Sequence, residues 1–458
     1  MRAELAFPLS ISEISSVCGA TVTDTIDKGC TDIHAITTDS RLVQPGDMFV
    51  ALRGTHSDGH LFLSDALSRG AALCLSEHPF AGSVTVPDTA AALTALAAHT
   101  LRSHPIPVIA ITGSVGKTGT KDAVSAALSP RFRVHKTKDN MNNALGVAFT
   151  LLSRPVNAEI LVLEFGTNSL GEIASHAKTA PPDVAILTAI GQAHIGAFGS
   201  REGIFAEKSS IFAGMSSDGL LLINGDDPYL SSIKTDIPTL HVGLSPHCSP
   251  SAGRVSYSRY GTSYTLQNWV EERRVFLRSV GRPQIYASLF AIAVARHFGV
   301  APESALDALF RMPHAEGRQA VYEAGGVLLI DDAYNASPES MAAALEVLLA
   351  IGRGRRRIAV LGDMLELGAA AHLLHKELGR LSATHCDLLY AFGDYAQDML
   401  MGALEAGKSK ELLTRYPNAD VCCRALLPIL TDGDVILVKA SHAVGGLAIA
   451  SAIRSRGK

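Results

Sequence analysis

Short runs that are apolar at every position recur along the chain, and each ends in a polar cluster. Residues 108–111 (Val-Ile-Ala-Ile) end at Thr112-Gly113, residues 160–163 at Glu164, Val184–Leu187 at Thr188, and residues 220–223 at Asn224-Gly225-Asp226-Asp227. A strand with one wet face alternates apolar and polar side chains. An unbroken apolar run predicts a strand covered on both faces, as in a parallel sheet. The pattern returns near the end of the chain. Residues 327–330 end at Asp331-Asp332, 358–361 at Gly362-Asp363, Leu388–Phe392 at Gly393-Asp394, and 435–438 at Lys439. Polar residues at the carboxyl ends of such strands mark where open α/β sheets bind ligands. Helical runs are predicted over 89–101, 121–128 and 303–310.

Two joints interrupt this series. His104-Pro105-Ile106-Pro107 and Met312-Pro313-His314-Ala315-Glu316-Gly317 place prolines and glycine after helical runs, where they stop a helix and favour extended chain. They divide the chain into 1–105, 106–313 and 314–458. The length of 458 residues agrees, since about 150 residues per domain suggests three. The second and third pieces read as open α/β sheets. The first is less regular and reads only as α/β. No solenoid-type repeat is present.

Composition narrows the class. With 47% hydrophobic and 18% charged residues the chain reads as a well-packed soluble protein rather than a disordered one. Forty Lys and Arg against 44 Asp and Glu give a net charge of −4, which argues against a nucleic-acid binder. Seven cysteines, with no Cys-x-x-Cys pair and with Cys422 and Cys423 adjacent, point to a reduced compartment. No run approaches the ~18 apolar residues of a membrane span. The first twelve residues, with Glu4 among them, lack an export pattern. A cytoplasmic location is expected.

The strongest chemical motif is Thr112-Gly113-Ser114-Val115-Gly116-Lys117-Thr118, between a predicted strand and a predicted helix. Glycines let backbone N–H groups turn toward a phosphate. A Lys reaches the β- and γ-phosphates, and a Thr hydroxyl suits Mg²⁺. The usual earlier Gly is Ile111 here, so the loop is a shortened one. Nucleotide binding is the reading this context favours over a plain glycine turn. Glu164 offers a hard oxygen for Mg²⁺ beside that loop. By spacing alone, His194 reads as a structural histidine and Lys208 as a solvated helix lysine. Asp332 could hold ribose hydroxyls or cap the helix that begins at Pro338. Arg318 could pair with phosphate. His372 and His375 stand three apart, which is poor evidence for zinc, and a solvated or core role is expected.

Taken together these segments resemble the Mur ligase family over nearly the whole chain. Within it the similarity is to members that add D-alanyl-D-alanine to UDP-N-acetylmuramoyl-tripeptide. The resemblance rests on Thr38-Asp39-Ser40-Arg41, Pro45 to Leu52, the short phosphate loop, Asn140-Met141-Asn142-Asn143 with Gly146, and Glu164-Phe165-Gly166-Thr167-Asn168. It continues through Ala193-His194, Asp331-Asp332-Ala333-Tyr334-Asn335 and Gly362-Asp363-Met364-Leu365-Glu366-Leu367-Gly368. It implies an α/β N-terminal domain that binds the UDP substrate, a central P-loop ATPase domain with a mostly parallel sheet, and a C-terminal Rossmann-like domain.

The resemblance also implies roles. ATP would be held by Thr112, Gly113, Ser114, Val115, Gly116, Lys117, Thr118, Asn140, Gln284, Arg318, Asp332 and Asn335. Two Mg²⁺ ions would use Thr118, Glu164, His194 and Lys208, the last as a carbamylated lysine. Lys117, Glu164, His194 and Lys208 would form the catalytic set. Ser40, Arg41, Asn142, Asn143 and Lys439 would bind substrate. The expected activity is amide formation through an acyl phosphate, by a monomer, with the UDP-linked tripeptide and D-alanyl-D-alanine as its partners. A sibling activity with a single amino acid, or a nucleotide-binding homologue without ligase chemistry, is the alternative. The chain departs from the family pattern at Gly281 to Ala287, where Gln284 can replace one amide and Ala287 cannot hydrogen-bond. It departs again at His442, where the family has Arg, and at Ser337, where it usually has Asn.

Overall fold

The computed structural model describes residues 1–22, 32–54, 57–269, 271–313 and 317–456. The fold is α/β and has three domains. Part of the expected second joint, 314–316, lies outside the described residues.

The central domain is built on six strands that are all parallel, in the order Thr239–Val242, Leu220–Asn224, Val184–Leu187, Val108–Thr112, Ile160–Glu164, Val134–Lys136. The four unbroken apolar runs are its four inner strands, and each is buried throughout. From Val108–Thr112 the chain runs first to one side of the sheet and later to the other. That strand is therefore the switch point, the place where open α/β sheets bind ligands. A three-stranded antiparallel sheet, Ser251–Ser258, Gly261–Gln267 and Arg273–Leu277, follows. Then comes the long buried helix Arg282–His297.

The third domain repeats the plan. Val327–Asp331, Val435–Lys439, Arg357–Gly362, Leu388–Phe392 and Leu413–Tyr416 run parallel, and Ala320–Ala324 joins as an antiparallel edge. The hairpin at that edge turns through Gly325 and Gly326, whose φ values of 52° and 80° are of the kind two-residue hairpin turns require. Apolar clusters cover both faces of this sheet.

The first domain carries a mixed sheet. Arg2–Ser10 is antiparallel to Asp32–Thr37, and Met48–Val50, Leu73–Ser76 and Ser83–Thr85 continue it in parallel. Its helix Thr89–Ser103 leads into the first joint, which is packed rather than free. Phe7 stacks on His104 with ring centroids 3.9 Å apart, and Arg154 donates to the His104 carbonyl at 2.7 Å. Leu93, Leu96 and Leu101 of the first domain lie in one apolar cluster with Phe149, Leu152 and Ile173 of the second. Among the described residues no helix is long and apolar enough to cross a membrane.

Candidate active site

The phosphate loop occupies the switch point. Gly113 has φ 149° and Gly116 φ 84°, backbone conformations that favour glycine. A Cβ on Gly113 would overlap the Thr188 hydroxyl. That hydroxyl donates to the carbonyl of Val115 at 2.6 Å, and the Ser114 N–H donates to Ala189 O at 2.8 Å. The neighbouring strand end thus fixes the loop. Gly116 precedes the helix Lys117–Leu128 and supplies no side-chain cap, so the first N–H groups of the helix remain open to an anion. Lys117 Nζ donates back to Gly113 O at 2.7 Å. Burial lowers its pKa, Glu164 opposes that shift, and Arg318 of the third domain adds to it.

Glu164 ends its strand and is 2% exposed. Its Oε1 accepts from Asn142 Nδ2 at 2.8 Å. Its Oε2 is buried, has no hydrogen-bond partner among the described residues, and lies 3.9 Å from Lys121 Nζ. Lys208, also 2% exposed, sits on the helix Arg201–Ser209. Burial, reinforced by Lys117, holds its pKa well below that of an ordinary lysine, and Glu207 opposes the shift. Glu207 ties this helix down by accepting from Thr167 Oγ1, Gly171 N and Ile173 N. His194 has φ 62°, and its Nδ1 contacts a carboxylate oxygen of Glu366 from the third domain. Burial lowers its pKa, and Lys117 and Lys208 lower it further against the pull of Glu366.

The third domain closes the other side. The Arg318 guanidinium lies over the Tyr334 ring, 4.2 Å from its centroid. Asp332 accepts from Lys439 Nζ at 2.7 Å and from Gln319 N at 3.2 Å. Burial pushes the Asp332 carboxyl up, although Lys439 opposes the shift. Ser337 caps the helix Pro338–Ile351 and Asn335 accepts from Ala336 N, so Asp332 is not the helix cap.

These groups line one cleft of about 570 Å³ between the second and third domains. It gathers Ser114 to Thr118, Asn140, Asn142, Asn143, Glu164, His194, Gln284, Arg318, Asp332, Asn335 and Lys439. Thr112 and Gly113, at the start of the loop, and the buried Lys208 are not among the lining residues, and Thr112 Oγ1 donates to Phe165 O at 2.9 Å. Asn143 also caps the helix Ala144–Leu152 by accepting from Gly146 N. Lys439, expected as a substrate contact, lines the cleft. Its ammonium is engaged internally by Asp332 and by Asn335 O at 2.9 Å, because a buried cation needs a partner. Ser40 and Arg41 do not reach the cleft. They lie on the first domain, where Ser40 meets Asp65 and the exposed Arg41 pairs with Asp39. Ala287 is buried on the helix that carries Gln284.

The cleft residues Glu339 and Glu366, and Lys121 beside Glu164, had no role in the sequence reading. Lys121 follows Lys117 by one helical turn, a spacing that places both on one face. Glu339 accepts from Gln192 N at 2.7 Å across the domains, and Glu366 meets His194. Their pairing across domains left no local signal. His375 is a core residue that accepts from Met364 N at 2.9 Å, and the exposed His372 pairs with Asp398. Among the described residues no cluster of metal-binding side chains forms there.

Comparison with known proteins agrees with this geometry. Residues 32–143 match the model of the Mur ligase family catalytic domain. Residues 111–295 match the Mur ligase middle domain, and 317–442 the Mur ligase glutamate ligase domain. The UDP-N-acetylmuramoyl-tripeptide–D-alanyl-D-alanine ligase of Bacillus subtilis is 36% identical, over 90% of this chain and 91% of its own. A crystal structure of MurF from Acinetobacter baumannii superposes with a TM-score of 0.91 at 28% identity, covering 99% of this chain and 100% of that one. MurF from Thermotoga maritima in complex with ADP superposes at 0.84 and 30% identity, covering 92% of this chain and 96% of that one. A phosphate loop at the switch point, facing Arg318 of a third domain across one cleft, thus occurs in a chain that belongs to the Mur ligase family.

Proposed function

We propose that this chain is an ATP-dependent ligase that adds D-alanyl-D-alanine to UDP-N-acetylmuramoyl-tripeptide. The observation that carries this reading is the shared cleft, in which the phosphate loop, Glu164 and His194 of the second domain face Arg318 and Asp332 of the third. The named activities of the relatives supply the substrates. The three domains are assigned to 1–105, 106–313 and 314–458, with Ser40 and Arg41 on the UDP-binding first domain. The protein acts as a monomer in the cytoplasm.

The reaction runs in two steps. The terminal carboxylate of the tripeptide attacks the γ-phosphorus of ATP, a P–O bond forms, the bond to ADP breaks, and an acyl phosphate results. The neutral amine of the dipeptide then attacks the acyl carbon. The tetrahedral intermediate expels phosphate, the nitrogen loses its proton, and an amide remains. Lys117 and the open helix N-terminus stabilise charge on the transferring oxygens. Arg318 and Asp332 hold the nucleotide from the third domain, with Asn140 and Gln284 from the second. Asn142 orients Glu164.

The donors fit a divalent cation. Glu164 Oε2 is a buried carboxylate oxygen without a hydrogen-bond partner, in a cleft that Thr118 also lines. Thr118 and Glu164 would hold one Mg²⁺, and His194 with Lys208 a second. When bound, Mg²⁺ neutralises phosphate charge as transfer proceeds. The buried Lys208 amine, whose pKa burial lowers well below that of an ordinary lysine, is suited to carbamylation, which would put an oxygen ligand in place of the amine.

Phosphate release from ATP, measured with Mg²⁺ and UDP-N-acetylmuramoyl-tripeptide, tests the reading. Release that needs D-alanyl-D-alanine, a product heavier by that dipeptide, and loss of release in Lys117→Met are expected. Release with a single amino acid would move the chain to a sibling activity. ATP binding without release under any acceptor would remove the ligase reading.

A further inference from the structure

His194 and Glu366 belong to different domains, and both hold left-handed backbone conformations, with φ 62° and 64°. Residues other than glycine adopt this region at a cost, and such outliers persist where surrounding structure over-determines them. Here the two face each other. Beside them the Gly196 N–H donates to Glu366 O at 3.3 Å. A Cβ on Gly196 would fall 2.9 Å from Gly368 N, and one on Gly368 would fall 2.9 Å from Gly196 Cα. Two bare backbones therefore interlock, and the interlock brings the Glu366 carboxylate to His194 Nδ1. The Glu366 side chain is 62% exposed, so the ion pair itself adds little to domain docking. What the contact controls is the ring. A carboxylate at Nδ1 fixes the N–H there, leaves the lone pair on Nε2, and orients the imidazole, which is how carboxylates tune metal-binding histidines.

We propose that Glu366 is a positioning residue, delivered by the third domain, that sets the tautomer and direction of His194 and so couples binding of a divalent cation to domain closure. This rests on the reading of His194 as a cation ligand. The protein then completes its second cation site only when the two domains meet, and an open molecule retains the phosphate loop with Glu164 but not an oriented histidine.

The test uses the full chain with ADP and Mn²⁺ as the probe. Mn²⁺ binding is followed by electron paramagnetic resonance, and the His194 ring nitrogens by ¹⁵N NMR. The wild type should show the Nδ1–H tautomer. Glu366→Ala should lose that single tautomer and weaken one Mn²⁺ step by roughly 10- to 100-fold. Glu366→Gln, whose amide oxygen still accepts the Nδ1–H, should restore most of both. Gly196→Ala should behave like Glu366→Ala by blocking the interlock, with Glu366 intact. An unchanged tautomer and unchanged Mn²⁺ affinity in Glu366→Ala, with the step lost in His194→Ala, would overturn the proposal and leave His194 a ligand. Unchanged Mn²⁺ binding in His194→Ala would overturn the underlying reading instead.

Discussion

His375 does not line the cleft, yet it supports the segment that carries Glu366. Its ring is wholly buried and stacks on Tyr395 with centroids 4.5 Å apart. Nε2 accepts from Met364 N, in the segment that carries Glu366, and Nδ1 donates to Ala371 O at 2.7 Å. The ring must therefore be neutral, and burial lowers its pKa. An unfolded histidine titrates near ~6.5. The neutral ring stabilises the fold above that value, and the contribution is lost as pH falls through the lowered folded pKa. The thermal midpoint of the third domain should drop as pH is taken below about 6.5. The drop should be smaller in His375→Gln, which has no proton to gain there. At this scale the sequence pointed to Lys117 through the glycine loop and to Glu164 through its place at a strand end. The engagement of Lys439 by Asp332 was hidden, because Asp332 follows one strand and Lys439 ends another, and only the sheet order reveals that the two strands are neighbours.

Among the elements, the helix Pro338–Ile351 shows how a departure from the family pattern is accommodated. Ser337 stands at its N-cap, accepts from Ser340 N, and forms a capping box with Ser340. Serine caps about as well as asparagine, so the exchange keeps the helix start. Ser337→Ala should cost about 1 kcal/mol in a urea unfolding curve. It should also raise the KM for ATP, because the capped segment carries Asn335 into the cleft. Elements with unbroken apolar runs were legible to within a residue or two. The strands Ser251–Ser258, Gly261–Gln267 and Arg273–Leu277 were not. Their serines, threonines and arginines break any apolar run, and one of the strands is mostly solvated. The helix starting at Lys117 also began four residues before its apolar pattern, because the phosphate loop and not side-chain periodicity sets its first turn.

For the whole molecule, the prolines at the first joint suggested a linker. The structure instead carries one apolar core from the helix Thr89–Ser103 into the helix Ala144–Leu152. Proline marks where a helix must stop, and it says nothing about what packs around the stop. The third domain meets the second through polar pairs, such as Arg259 with Glu323 and Arg282 with Glu346, and a smaller set of apolar residues that includes Val280 and Ile195. Calorimetry should therefore show the first two domains melting as one cooperative unit and the third as a separate transition. Three separate transitions would contradict this. The common core has a further consequence. On the proposed function, a substrate anchored by its nucleotide on the first domain and reacting at the phosphate loop of the second would be measured by the span between those places, and a welded core would turn that span into a ruler. Each residue adds at most ~3.6 Å of extended chain, so a precursor one residue short would bind at one end and leave its carboxylate out of reach at the other.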